Sequence, residues 1–168
     1  NEQYSQEYTH TVDDVFARLA ERGIRLIDNT QLTDAQKTYL RQFFYDKLNG
    51  LVNPIWLNEM DNLASLEDNR IYLLVERRKT DDDGKTHYAI VKIPDKQVGR
   101  WVVVPSANAD ETHIMYLDDV VRQCLPLIFL GLKPATYRAW SFKFTKDAEM
   151  EIDNDPEYGT LEKIKQGV

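Results

Sequence analysis

Apolar positions recur every two residues along some stretches of this chain and every three or four along others, and those changes of period mark out its elements. In residues 12–22, Val12, Val15, Phe16, Leu19 and Ala20 share one helical face, with Thr11 placed to cap the start and Gly23 to end it. Such a helix should pack on a sheet. Residues 24–28 alternate as a short strand. Thr33 and Gln36 have capping-box spacing and open a second helix. Its stripe of Tyr39, Leu40, Phe43, Phe44, Leu48 and Leu51 reads as core, and Asn49 with Gly50 provides its end. Pro54 starts an extended segment through Ile55, Trp56 and Leu57, and the polar run up to Asn69 reads as loop.

Residues 71–78 and 87–93 are rich in β-branched and aromatic side chains, and Asp83-Gly84 between them suits a tight turn, so the two form a hairpin. Pro94 ends the second strand. Residues 100–104 are almost continuously apolar, as in a strand buried on both faces, and three strands in succession suggest a meander. After a short extended piece at 114–116, Leu117, Val120, Val121, Cys124, Leu127 and Ile128 line one face of a helix that starts near Asp118 and that Pro126 should break or kink. The period then returns to two. Trp140, Phe142 and Phe144 fall on one face of a long strand and Ala139, Ser141, Lys143 and Thr145 on the other, which predicts a core strand beside residues 88–93 and 101–104. From Asp147 to Asp155 every second residue is acidic, so that half should lie at the surface, and Asp155 with Pro156 opens a last helix through Tyr158, Leu161, Ile164 and Val168. Helices interspersed with a mixed, largely antiparallel sheet define a single-domain α+β fold.

At 168 residues and 42% hydrophobic content the chain is long enough for one well-cored domain. Its 21 Lys and Arg against 28 Asp and Glu give a net charge of −7, which disfavours a nucleic-acid partner. The single Cys124 excludes an internal disulfide and a zinc ribbon, and with no apolar run long enough to span a membrane a cytoplasmic location is expected. The absence of an initiator Met and the ending inside an opening helix suggest a piece of a longer protein.

Catalytic signatures are missing: the chain has no phosphate loop, dinucleotide fingerprint, HExxH pair or nucleophile elbow. His10, His87 and His113 stand apart from one another and from Cys124, which lies on an apolar face as a small hydrophobe would. Asp118 and Asp119 open a helix, where the exposed N–H groups favour carboxylates without any acid–base role. Arg77, Arg78 and Lys79 precede an aspartate run at a hairpin tip and read as solvated. The acidic alternation from Asp147 does not make a calcium loop, because Ile152 and Tyr158 stand where glycine and glutamate are needed. No catalytic, cofactor or metal residue is therefore assigned.

The strand followed by TKDAEMEID resembles the end of the middle, or head, domain of the bacterial polyphosphate kinases that work through a phosphohistidine. GIRLIDNTQLTDAQKTYLRQFFYDKLNGLVNPIWL is similar to the start of that domain, YAIVKIP with GRWVVVP to its paired strands, and IMYLDDVVRQCLPLIF to its following helix, so the likeness runs in order from about residue 12 to 161. Departures fall at Lys146, where arginine is commoner, and at Pro126. The resemblance implies that residues 1–168 are a head domain, with 1–10 and 156–168 as partial connections to neighbouring domains. It implies a parent enzyme that moves the terminal phosphate of ATP reversibly to polyphosphate with Mg²⁺, its reactive histidine and phosphate-binding residues lying in other domains. This domain would then be scaffold and interface, against the rest of its polypeptide and a second subunit. Lys143 and Lys146 are its candidate channel or interface contacts. The rival expectation is a free-standing module that binds a protein or a nucleotide.

Overall fold

A computed structural model describes residues 2–59, 66–81, 84–145 and 151–152, with 2–11, 59 and 151–152 as backbone alone. Lys146, most of the acidic alternation from Asp147, the last helix and Asp83 of the hairpin tip lie outside the described residues.

Helix α1 (Glu2–Glu21) begins ten residues before the apolar stripe does, since nothing in the polar stretch ahead of Val12 stops it. It ends at Gly23, whose φ of +80° suits glycine. Strand β1 (Ile24–Leu26) follows, then α2 (Asp34–Phe43), which continues as a wider π-helical turn, Phe44–Leu48. The capping box at its start forms as expected: Thr33 Oγ1 accepts the Gln36 N–H at 3.1 Å, and Gln36 Oε1 accepts the Thr33 N–H at 3.0 Å. Leu40, Phe44 and Leu48 are buried, whereas Tyr39 and Leu51, at the margins of the expected stripe, are exposed. The remaining elements are β2 (Ile55–Trp56), β3 (Arg70–Lys79), β4 (Thr86–Lys92), α3 (Asp95–Val98), β5 (Trp101–Val104), β6 (Thr112–Tyr116), α4 (Leu117–Gln123), α5 (Leu125–Ile128), β7 (Ala135–Phe144) and β8 (Glu151–Ile152). The helix breaks at Cys124, between α4 and α5, and Pro126 falls in the first turn of α5, where its missing N–H costs no helical bond.

These strands form two sheets. A largely antiparallel arrangement holds, but the expected three-strand meander does not: β3 and β4 pair as a hairpin, while β5 leaves to join a second sheet in the order β1-β6-β5. The larger sheet runs β2-β4-β3-β7-β8. Strand β7 therefore lies against β3 along its whole length, from Arg70 opposite Phe144 to Lys79 opposite Ala135, and neither β4 nor β5 is its neighbour. The period of two fixes which residues share a face and says nothing about which strand lies alongside.

Alternation along β3 and β7 feeds two cores. Leu73 and Val75 of β3 join Leu40, Phe44, Val102, Val104, Met115, Leu117, Val120 and Leu125 between the sheets and helices, with Tyr137 and Ala139 packed against them. On the opposite face Tyr72 and Leu74 meet Trp140 and Phe142, with Phe144 at the margin and Tyr72 stacked on Phe142 at 5.7 Å. Strand β5 is buried on one face only: Val102 and Val104 are inside, while Trp101 and Val103 are 43% and 60% exposed. Helix α1 covers that outer face in part, through an edge contact of Phe16 on Trp101, and leaves Val15 50% exposed. Among the described residues no helix is long and apolar enough to cross a membrane.

Candidate functional site

A groove of about 1500 Å³ opens where α1, the three-stranded sheet, α4 and β7 approach one another. One wall is apolar, formed by Val12, Phe16 and Leu19 of α1 with Trp101 and Tyr116, whose rings stack at 4.2 Å. The other wall is ionic, and α4 builds it. Asp118, on the first turn, is buried and accepts Arg100 on Oδ1 and the Ser141 hydroxyl on Oδ2 at 2.8 Å. Arg100 also lies 4.5 Å over the Tyr116 ring. One turn on, Arg122 donates from Nη1 to Asp119 and from Nη2 to Ser141 Oγ at 3.1 Å. The Ser141 hydroxyl thus gives to one acidic partner and receives from one basic partner, tying α4 to β7.

Burial pushes the Asp119 carboxyl up to about 6, with Asp118 and Asp28 adding to the rise and the Arg122 and Arg100 guanidiniums opposing it. Asp118 and Asp119 do open a helix, as the sequence indicates, but each also holds an arginine. The i,i+3 spacing of Asp119 and Arg122 was the available sequence signal for one pair. The partners Arg100 and Ser141 lie 18 and 23 residues from Asp118 and carry no local signature.

The other candidates lie elsewhere. Cys124 is buried with its sulfur 3.8 Å from the Leu40 carbonyl, and burial raises its thiol to about 12, far from a reactive thiolate. His113 is fixed by its neighbours: Gln36 Oε1 accepts from Thr33, so Gln36 Nε2 donates to Pro105 O at 2.7 Å and to His113 Nδ1 at 2.9 Å. His113 Nδ1 must then be the acceptor, and Nε2 faces Glu111 at 3.1 Å. His87 meets the edge of Trp56 at 6.2 Å. The side chain of His10 lies outside the described residues.

Arg77 corrects the solvated reading of the basic run. It is buried and donates to the Lys133 carbonyl, because strand alternation places it on the inner face with Leu73 and Val75, while Arg78 points outward. Lys143 is exposed near the end of β7, outside the groove, and Lys146 lies outside the described residues. Among the described residues no group of three or more His, Cys, Asp or Glu could hold a metal. The groove carboxylates do not fit a Mg²⁺ ion, since Asp118 and Asp119 are already engaged by guanidiniums.

Polyphosphate kinases match this chain over almost all of its length. That of Vibrio cholerae serotype O1 is 30% identical over 98% of the chain, that of Vibrio parahaemolyticus 32% over all of it, and that of Escherichia coli K12 31% over 94%. The chain spans only 23%, 24% and 23% of those proteins. In structure it is similar to the crystallised polyphosphate kinase of Porphyromonas gingivalis, with a TM-score of 0.78 over 97% of this chain and 27% of that one, at 24% identity, a likeness of fold. The family model for the polyphosphate kinase middle domain matches residues 35–168, and the chain belongs to that family.

Proposed function

We propose that this chain is the non-catalytic head domain of a polyphosphate kinase, serving as scaffold and as interface to the other domains of its polypeptide and to a second subunit. The observation that carries this reading is the outer face of the three-stranded sheet. Trp101 and Val103 lie there opposite Tyr116 and Ile114, and α1 covers them only in part. An apolar sheet face of this kind marks an interaction surface. In the intact protein the enzyme moves the terminal phosphate of ATP reversibly to polyphosphate with Mg²⁺, using residues outside this chain. Lys143, exposed at the end of β7, and Lys146 are candidate contacts to the polyphosphate channel or to a neighbouring domain.

Sedimentation over a concentration series tests the interface. Weak self-association of the chain, lost on Val103→Asp without loss of the fold, is the expected result, and a strictly monomeric wild type would count against it. The groove favours a second reading, a free-standing module that binds a nucleotide or a protein segment between Trp101 and α4. Calorimetric titration with ATP distinguishes a nucleotide-binding module from a scaffold, which should give no saturable heat.

A further inference from the structure

We propose that the free edge of β5 pairs antiparallel with β5 of a second copy of this chain, about a two-fold axis at Val102, so that the two three-stranded sheets become one. This rests on the interface proposed for the same sheet and names its partner and its manner of contact. Register decides which backbone groups are available. In an antiparallel pair, residues directly opposite each other exchange hydrogen bonds or do not, in alternation. The Leu117 N–H donates to the Arg100 carbonyl at 2.9 Å, so the exchanging pairs are Arg100 with Leu117, Val102 with Met115 and Val104 with His113. The far side of β6 agrees: Thr112 and Ile114 bond Gly23 and Ile27, which leaves His113 and Met115 for β5. Trp101 and Val103 therefore turn their N–H and C=O groups away from β6, to the side where β5 has no neighbouring strand. Among the described residues no hydrogen bond takes up those groups.

The edge is complementary to itself. An axis at Val102 sets Trp101 opposite Val103 of the partner subunit, and each N–H then meets a C=O with none left over. Neighbouring registers fail. An axis at Val103 would set Trp101 opposite a proline, Pro105, which has no N–H to give, and an axis at Trp101 would set Val103 opposite Gly99, whose N–H already donates to the Asp95 carbonyl at 2.8 Å. The favoured register also lays the exposed Trp101 side chain against Val103 of the partner subunit on the outer face. Charge permits a like partner: residues 101–105 carry none, although the chain as a whole carries −7. The lysine, in-strand proline or bulge that usually guards an open edge is missing from β5. A strand of four residues supplies only part of the roughly 800 Å² per partner of a stable complex, so the pairing is weak and concentration-driven in the chain alone.

Residue-resolved amide hydrogen exchange over a concentration series reads the edge. Between about 10 μM and about 1 mM, protection of the Trp101 and Val103 amides should rise roughly fivefold, while Val102 and Val104, already bonded to β6, stay unchanged. Cysteine cross-linking reads the register without relying on exchange. Trp101→Cys and Val103→Cys change exposed side chains, and an equal mixture of the two variants under air oxidation should give the mixed disulfide in preference to either like-with-like product, because only the mixed pair stands directly opposite. Self-association without added protection at Trp101 and Val103, or like-with-like products matching the mixed one, would overturn edge pairing and leave the interface itself standing. A strictly monomeric chain at the highest concentration would overturn both.

Discussion

Asp119 and Gly23 show how a residue can be fixed by something distant from it in sequence. The carboxyl of Asp119 is raised from 3.8 to about 6 in the folded chain, so the fold binds a proton there more tightly than the unfolded chain does. The sign follows: its contribution to stability is fully present below about pH 4 and is lost as pH rises through about 6. Melting wild type and Asp119→Asn across that window should show wild type losing ground to the variant with rising pH, and parallel curves would contradict it. At Gly23 a Cβ would meet the Asp110 carbonyl oxygen at 2.4 Å, at a φ of +80°. Gly23→Ala should therefore cost about 1–3 kcal/mol in chemical denaturation. Glycine was legible here as a helix end. The approach of Asp110 was not, because it comes from a loop 87 residues away in the chain.

Elements whose apolar positions are all covered within the chain are the ones the pattern reveals. Trp140 and Phe142 alternate with Ala139 and Ser141 because β7 separates two cores, and the stripe of Leu40, Phe44 and Leu48 is continuous because α2 faces one of them. Phe142 has no exposed surface, so Phe142→Ala should cost about 3–5 kcal/mol, and an unchanged thermal melt would sink the account of β7 as a core strand. The sequence misleads where a face lacks its cover. Trp101 and Val103 read as buried because they are apolar, yet they point outward, and the stripe from Val12 to Leu19 finds only part of a sheet to rest on. Arg77 errs in the other direction: its charge suggested solvent, but the alternation of β3 sends it inward. Strand order was beyond reach for a different reason, since the residues that β3 pairs with on β7 lie 56 to 74 positions further along the chain, from Lys79 with Ala135 to Arg70 with Phe144, and the hydrophobic period carries no partner identity.

At the scale of the whole molecule, two sheets share one core, an ionic cluster bridges them, and an apolar face is left beside the groove. Phosphoryl transfer needs clustered cations that stabilise charge spreading over the transferred group, usually a metal ion with arginine or lysine. Of the groove arginines, Arg100 and Arg122 are instead paired with Asp118 and Asp119, and Arg138 lies 3.9 Å from Glu76. The described His87 and His113 lie apart, one against Trp56 and one between Gln36 and Glu111. The most direct measurement incubates this chain, and in parallel the full-length protein, with labelled ATP, Mg²⁺ and polyphosphate. A scaffold domain predicts label on polyphosphate with the full-length protein, none above a denatured control with the chain alone, and reduced transfer when the full-length protein carries Val103→Asp. Label transferred by the chain alone, and abolished by replacing His10, His87 or His113, would contradict it.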